Sequence, residues 1–471
     1  MKLPNVTLLG IDCVNVDRLQ AAMDVCQKDI QFGAVKLLSS LPTDDKRLVT
    51  IPHIGSVQEY SRFCAEELVK YVDTDFVLLV QYDGFILNPE SWTDEFLKYD
   101  YIGAPWLVAN WSVRDFNFPA NLLGKEVVGN GGFSLRSKKF LEVSAKLMRE
   151  RKIPVIHPED VSLCVWHKDL LDAEGVLIAP AELARQFSIE KDDDDKYIYD
   201  TQFGFHGFSW TDIDSWIEKH SEYPVIVDGY RKARLSRFHR ILIQTRERAL
   251  NDAQKVFQNI AIESHVFGSV ARRDSDPYSD LDVWFTVKDE NIEEILAHRF
   301  EYYSKIGKVV HVCEAPQNRP INGVHSFVLY KTFAGLLQVD IYLCPKSTSF
   351  LTKDSRKISG EIDLPQGELG YNPQKVIVDE NYRIDFVIGF TFTSIKYLIR
   401  KKSDALEALS REYDYLSERY GIKVEPLVGK ENSFETLRKV IMNLKKVANK
   451  KQSEALSEIE EFSLKVEATE N

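Results

Sequence analysis

Two aspartates, Asp280 and Asp282, sit one residue apart in Ser279-Asp280-Leu281-Asp282-Val283-Trp284. On a strand, period two puts both carboxylates on one face while Leu281 and Val283 point to the core. Two such carboxylates suit magnesium, which keeps some waters and completes its shell with phosphate oxygens. A third carboxylate, Asp340, lies in the apolar run Gln338-Val339-Asp340-Ile341-Tyr342. Three carboxylates on neighbouring strands make a two-metal site for in-line attack on phosphorus. Upstream, Val266-Phe267-Gly268-Ser269 ends a strand-like run. Gly268 lets the backbone approach a triphosphate, and the Ser269 hydroxyl and nearby amides are donors for its oxygens. Arg272 and Arg273 either add phosphate contacts or belong to a solvated loop.

The N-terminal half offers a different set. The apolar run Phe76 to Val80 ends in Gln81-Tyr82-Asp83-Gly84. An acidic residue at the C-terminal end of a parallel strand sits where such sheets bind ligands. Asp83 would hold a metal against a diphosphate there; by itself it reads equally as a turn or helix-cap residue. Asp12 occupies the corresponding end of the first apolar run, Val6 to Cys13. Glu159-Asp160 opens a helix, where carboxylates also suit the positive end of the dipole. Val128-Gly129-Asn130-Gly131-Gly132 reads as a turn needing positive φ, with substrate contact in addition. Trp106 is either core or a platform for a sugar ring. His206 stands in Phe203-Gly204-Phe205-His206-Gly207.

The elements that must position these residues follow from apolar periodicity. In the first third, strand-like runs (Val6–Cys13, Phe32–Leu38, Phe76–Val80) alternate with helical patterns (Val16–Lys28, Ser56–Tyr71). Such alternation predicts an α/β domain with a largely parallel sheet. Character changes near Val225. Arg231 to Ile260 predicts a long helix whose first half carries Arg231, Lys232, Arg234, Arg237, Arg240, Arg246 and Arg248. That stretch is either the polar face of an amphipathic helix or a phosphate contact. Strand-like runs return between Ala261 and Pro345, and helices follow at Phe386–Ile399, Asp404–Tyr420 and Ser433–Val447. The charged stretch Gln452–Asn471 is expected to fray, and Asp192–Asp195 to form a solvated acidic loop. The expected domains are 1–222, 223–350 with the basic leading helix, and 351–471.

Composition sets outer bounds. The chain has 471 residues, 44% hydrophobic and 28% charged, with a formal net charge of −12. These values exclude a wholly disordered, collagen-like or disulfide-scaffold chain. The acidic balance counts against general binding to nucleic acid or anionic membranes. Six scattered cysteines without Cys-x-x-Cys spacing suit a reducing compartment. No apolar run approaches the roughly 18 residues needed to span a bilayer. A cytoplasmic protein without a membrane span is expected.

The Gly-Ser turn, the Asp-hydrophobic-Asp pair and the later Asp340 together resemble the nucleotidyltransferase superfamily of DNA polymerase β, from roughly Phe257 to Leu343. The helices after Tyr382 are similar to the helical domain that follows its palm. The resemblance implies Asp280, Asp282 and Asp340 as magnesium ligands, with Asp340 also helping to deprotonate the acceptor. It implies Gly268 and Ser269 as holders of the β and γ phosphates. From about Val6 to Phe208, Gln81-Tyr82-Asp83, Tyr99 to Trp106, Val128 to Arg136, His157 to Val161 and Phe203 to Gly207 resemble an uncharacterised glycosyltransferase-like family of the type A glycosyltransferase fold. That likeness implies Asp83 and His206 as ligands of manganese or magnesium. It implies Asp160, or alternatively Glu159, as general base, and Asp12 as a contact to the donor base or ribose. The first acidic position of that family's Asp-x-Asp pattern is Gln81 here.

The expected fold class is therefore α/β: a Rossmann-like type A glycosyltransferase fold, then an α+β nucleotidyltransferase palm with a C-terminal helical domain. The expected function is a bifunctional transferase. One site would move a sugar from a nucleotide-sugar to a hydroxyl acceptor. The other would move a nucleotidyl group from a nucleoside triphosphate to a hydroxyl or phosphate acceptor. The acceptors are unidentified. Three alternatives stand beside this reading. One is a single-activity nucleotidyltransferase whose first domain is a sugar- or nucleotide-binding module. Another is an enzyme acting on an RNA end through the basic helix, and the third is a nucleotide sensor or scaffold.

Overall fold

The computed structural model describes residues 1–154, 156–190, 201–314, 319–370, 380–420 and 432–470. The run Asp192–Asp195 lies outside the described residues. The chain divides into two compact units, Met1–Arg234 and Leu235–Asn471. The dividing point falls inside the helix Pro224–Phe257. Both units are mixed α/β with mixed sheets.

The first unit is built on six strands: β1 (Lys2–Ile11), β2 (Gln31–Ser39), β3 (Leu48–Thr50), β4 (Phe76–Val80), β5 (Tyr101–Ile102) and, beyond a hairpin of β6 (Ala104–Leu107) with β7 (Glu126–Gly129), β8 (Phe133–Ser137). Their order is β3-β2-β1-β4-β8-β5. The first four are parallel, whereas β8 runs antiparallel to both β4 and β5. β1 and β4 are central, so consecutive residues Leu8, Leu9 and Val77 to Val80 are all buried. Such strands read as continuous apolar runs because helices cover both faces. The helix Val16–Gln27 is capped by the Asn15 side chain, which accepts from Asp17 N, and buries Leu19, Ala22, Met23 and Cys26. The single helix expected over Ser56–Tyr71 is instead three pieces: an α-helix Val57–Arg62, a π-turn Phe63–Glu67 and a 3-10 turn Leu68–Tyr71. The wider turn keeps Cys64, Ala65 and Leu68 all facing the core. A short parallel pair, β9 (Ser188–Ile189) with β10 (Gly204–Phe205), completes this unit.

The second unit has a six-stranded sheet of β11 (Ala261–Phe267), β12 (Leu281–Val287), β13 (Lys308–Glu314), β14 (Val324–Thr332), β15 (Gly335–Pro345) and β16 (Arg356–Gly360). Its order is β13-β14-β15-β12-β11-β16. Only the β12–β15 pair is parallel, with Asp282 registered against Asp340. Along β12 and β15, Leu281, Val283, Phe285, Val339, Ile341 and Leu343 enter one core with Phe257 and Tyr303. Alternation therefore sends Asp282, Trp284, Asp340 and Tyr342 to the opposite face.

The helices Glu380–Ile399, Glu407–Tyr420, Phe434–Lys445 and Lys450–Glu470 share a second core with Phe238, Leu242, Phe327, Leu329 and Leu336. The C-terminal stretch expected to fray is this last helix. Its charged composition hides a stripe of Leu456, Ile459, Phe462 and Val466, all buried. Among the described residues, no helix is long and apolar enough to cross a membrane. All six cysteines are unpaired and buried.

Candidate active sites

In the first unit, β1 and β4 end side by side and deliver Asp12 and Gln81 to one edge of the sheet. Reciprocal backbone bonds between Gln81 and Gly84, both 3.1 Å, close a tight turn with Tyr82 and Asp83 at its tip. Gly207 N donates to Asp83 O at 2.7 Å, which brings the neighbouring His206 against the turn. His206 Nε2 lies 3.7 Å from Asp83 Oδ1 and 3.2 Å from Gln81 Oε1. Asp83 Oδ1 is buried and has no hydrogen-bond partner among the described residues. Burial pushes the Asp83 carboxyl above its ordinary value, although His206 opposes the shift.

Glu190, just past β9, organises this corner, and sequence reasoning missed it. Its Oε1 lies 2.7 Å from His206 Nδ1, and its Oε2 accepts from Trp106 Nε1 at 2.7 Å. Burial alone would lower the His206 pKa, but Glu190 and Asp83 raise it to about 9. The only sequence signal was a carboxylate closing the short run Phe187-Ser188-Ile189, immediately before the acidic run that masked it. Gln81 is itself tied down, donating from Nε2 to Tyr60 OH at 2.8 Å.

The glycine-rich segment contains the expected positive-φ position. Positive φ belongs to Asn130, at 73°, and not to Gly129, Gly131 or Gly132. The glycines instead permit close approach. A Cβ on Gly129 would lie 2.2 Å from the Trp106 ring, on Gly131 2.3 Å from Glu159 Oε1, and on Gly132 2.1 Å from His206 Nε2.

Glu159 and Asp160 are adjacent but differ in environment. Glu159 is buried and pairs with the equally buried Arg136, Oε1 to Nη2 at 3.0 Å. Arg136 also donates to Gly131 O at 3.1 Å and to Ser134 Oγ at 3.0 Å. Asp160 forms no ion pair with a Lys or Arg among the described residues. Its Oδ2 and Oδ1 accept from the backbone N–H groups of Gly131 and Val161, at 2.7 and 2.8 Å. Burial first, then Glu159 and Glu190, push its carboxyl up to about 7. Asp12 is engaged locally: Oδ1 accepts from Val14 N and Asn15 N, and Oδ2 from Arg18 Nε at 2.6 Å.

Residues 46–206 match a family described as a protein of unknown function (DUF5672). The match takes in Gln81 to Asp83, Glu159, Asp160 and Glu190, and ends at His206. No curated protein matches the chain.

In the second unit, Asp280 immediately precedes β12, and Asp282 and Asp340 are cross-strand partners on one sheet face. The Asp282 carboxylate accepts no hydrogen bond from any described residue, and the Gly268 turn packs directly over it. A Cβ on Gly268, where φ is +68°, would lie 2.5 Å from Asp282 Oδ2. Burial, then Asp340 and Asp280, push the Asp282 carboxyl well above the ordinary range. Asp340 is held at both oxygens, by His325 Nε2 at 2.9 Å and by Gln338 Nε2 at 2.6 Å. His325 stacks on Tyr342 with centroids 4.3 Å apart, and Tyr342 on Trp284 at 5.2 Å.

Two cations hold the entry to β12: Lys396, which sequence reasoning missed, and Arg246, which it placed on a polar face or against phosphate. Lys396, a lone lysine in the apolar helix Glu380–Ile399, forms an ion pair with Asp280. Burial opposes its charge, but Asp280 keeps the Lys396 pKa above the usual lysine value. Arg246 of the basic helix is buried, and its Nη1 donates to Asp276 O and Ser279 O at 2.8 and 2.9 Å. It therefore fixes the turn leading into Asp280. Arg272 pairs with Asp274 at 3.1 Å and Asp354 at 2.6 Å. Asp354 also accepts from Gly268 N at 3.1 Å, so one backbone donor expected to face phosphate is engaged here.

Among the described residues, no group of three or more His, Cys, Asp or Glu side chains is assembled as a metal cage. The donor chemistry still suits a divalent cation at two places. The buried orphan oxygen of Asp83 lies beside His206, and the unbonded Asp282 carboxylate is near enough to Asp340 and Asp280 for both to oppose its charge.

Proposed function

We propose that the second unit is a nucleotidyltransferase. The observation that carries this reading is the registered Asp282–Asp340 pair with Asp280 at the strand entry, under a glycine turn that only a residue without Cβ can make. Asp280, Asp282 and Asp340 would hold magnesium, which would neutralise the triphosphate and its developing charge. Asp340, oriented by His325 and Gln338, takes the proton of the acceptor hydroxyl as that oxygen bonds to the α-phosphorus. The bond to pyrophosphate breaks in the same displacement. Ser269 donates to phosphate oxygens. Lys396 holds Asp280 in place and offers a positive charge to the triphosphate. Pyrophosphate release from nucleoside triphosphates with magnesium tests this. Asp282→Asn should abolish release; undiminished release would refute the assignment.

The first unit fits glycosyl transfer from a nucleotide-sugar. Asp83, and His206 once its Nε2 proton is displaced, would hold manganese or magnesium, supplying charge to the leaving diphosphate. Asp160 is the general base: with its carboxyl near 7 it is matched to proton removal at neutral pH. The acceptor oxygen bonds to the anomeric carbon, the bond to the nucleoside diphosphate breaks, and the acceptor proton goes to Asp160. Glu159, neutralised by Arg136, supports the loop. One observation favours a binding module instead: Gln81 replaces the first acidic position and is bonded to Tyr60. Nucleoside diphosphate release that survives Asp160→Asn would favour that alternative.

A further inference from the structure

Arg18 lies in the first turn of the helix Val16–Gln27, beside the end of β1. Its Nε donates to Asp12 Oδ2 at 2.6 Å, and its Cζ sits 3.7 Å from the centre of the Tyr82 ring. Tyr82 is the residue before Asp83 in the tight turn that ends β4. The guanidinium is thus fixed in position and plane by a carboxylate on one edge and an aromatic face beneath it. Its two terminal nitrogens make no hydrogen bond to any described residue, and the side chain is 31% exposed. If Arg18 served only to neutralise Asp12, a two-pronged contact would be expected. Asp12 instead meets one edge of the guanidinium and leaves the fork open. Asp12 Oδ1 is already satisfied by two backbone N–H groups.

We infer that Arg18 is an anion-binding residue of the first unit, its open fork taking the diphosphate oxygens of a nucleotide ligand. This rests on reading that unit as a nucleotide-sugar site. Two parallel N–H donors match two oxygens of a phosphate group, and a guanidinium already held in place loses little freedom on binding. The placement agrees. The Tyr82 ring carries Arg18 and the next residue in the same tight turn is Asp83, so both charges face the same small region at the ends of β1 and β4. A diphosphate placed there would meet a fixed cation at Arg18, and Asp83 is the carboxylate that would hold a divalent cation beside it.

Calorimetric titration of the full chain with four nucleoside diphosphates and with inorganic pyrophosphate, in manganese buffer, tests this. Wild type should bind at least one of these ligands. Arg18→Gln should weaken that binding by about 10- to 100-fold, the loss of a charged hydrogen-bond pair. Arg18→Lys should recover only part of it, because a point charge cannot fork. Ligand-free melting of Arg18→Lys matching wild type would separate this from a folding defect. Binding unchanged in Arg18→Gln but lost in Asp83→Asn would overturn the role of Arg18 and leave the nucleotide site standing. Full affinity in Arg18→Lys would overturn the fork. No binding of any ligand to wild type would overturn both the role and the site.

Discussion

Asp160 and Glu159 are covalent neighbours with opposite electrostatic fates, and each fate can be measured. The Asp160 carboxyl titrates near 7 in the folded chain, against about 3.9 for an unperturbed aspartate. The folded state therefore holds a proton that the unfolded chain releases, and the associated stability is lost as pH rises from about 4 to 7. Asp160→Asn, which does not titrate, should gain thermal stability relative to wild type between pH 5 and pH 7.5; parallel melting curves would contradict this. The same carboxyl predicts that kcat/KM for sugar transfer rises with pH through about 7. Glu159 is different because Arg136 pays back its desolvation. Arg136→Met would leave a buried carboxylate without its cation and should cost about 3–5 kcal/mol in denaturant melts. A loss below 1 kcal/mol would mean the pair is solvated. Asp83 stood out in the sequence because it follows the end of an apolar run, and Asp160 because Glu159-Asp160 opens a helix within the stretch that resembles the glycosyltransferase-like family. Arg136, Glu190 and Lys396 did not. Each is a single charge whose partner lies 16 or more positions away, and one sequence carries no sign of such pairing.

At the scale of elements, apolar periodicity located most strands and helices to within a few residues. It failed where charge or local geometry dominated. The helix Lys450–Glu470 was obscured because charged residues surround its buried stripe. Leu456→Ala should destabilise the second unit by about 2–5 kcal/mol, since the side chain is fully buried. A change within 0.5 kcal/mol in a denaturant melt would show that the helix does not pack as described. The glycine segment before β8 was recognised as a turn needing positive φ, which Asn130 supplies. Its glycines answer to side chains from distant segments, Trp106, Glu159 and His206, which no local rule reveals. Gly132→Ala must displace His206, because the new Cβ would sit 2.1 Å from Nε2. Sugar-transfer turnover should fall at least tenfold with far-UV circular dichroism unchanged. Retained turnover would remove His206 from the working site.

For the whole molecule, the account rests on two chemically separate sites. The first unit gathers a carboxylate, a histidine and a near-neutral acid at one sheet edge. The second gathers three carboxylates under a glycine turn. The mixed α/β character of both units was legible because strand and helix periods differ. Strand order was not, because the antiparallel β8 in the first sheet and the parallel β12–β15 pair in the second depend on pairing between distant segments. The most direct test is phosphorus NMR on one protein preparation with magnesium and manganese. One sample holds a nucleotide-sugar panel, and another the four nucleoside triphosphates, each with mixed hydroxyl acceptors. The account predicts that nucleoside diphosphate release is lost with Asp83→Asn alone and pyrophosphate release with Asp280→Asn alone. Both releases surviving both substitutions, or neither occurring in wild type, would contradict it.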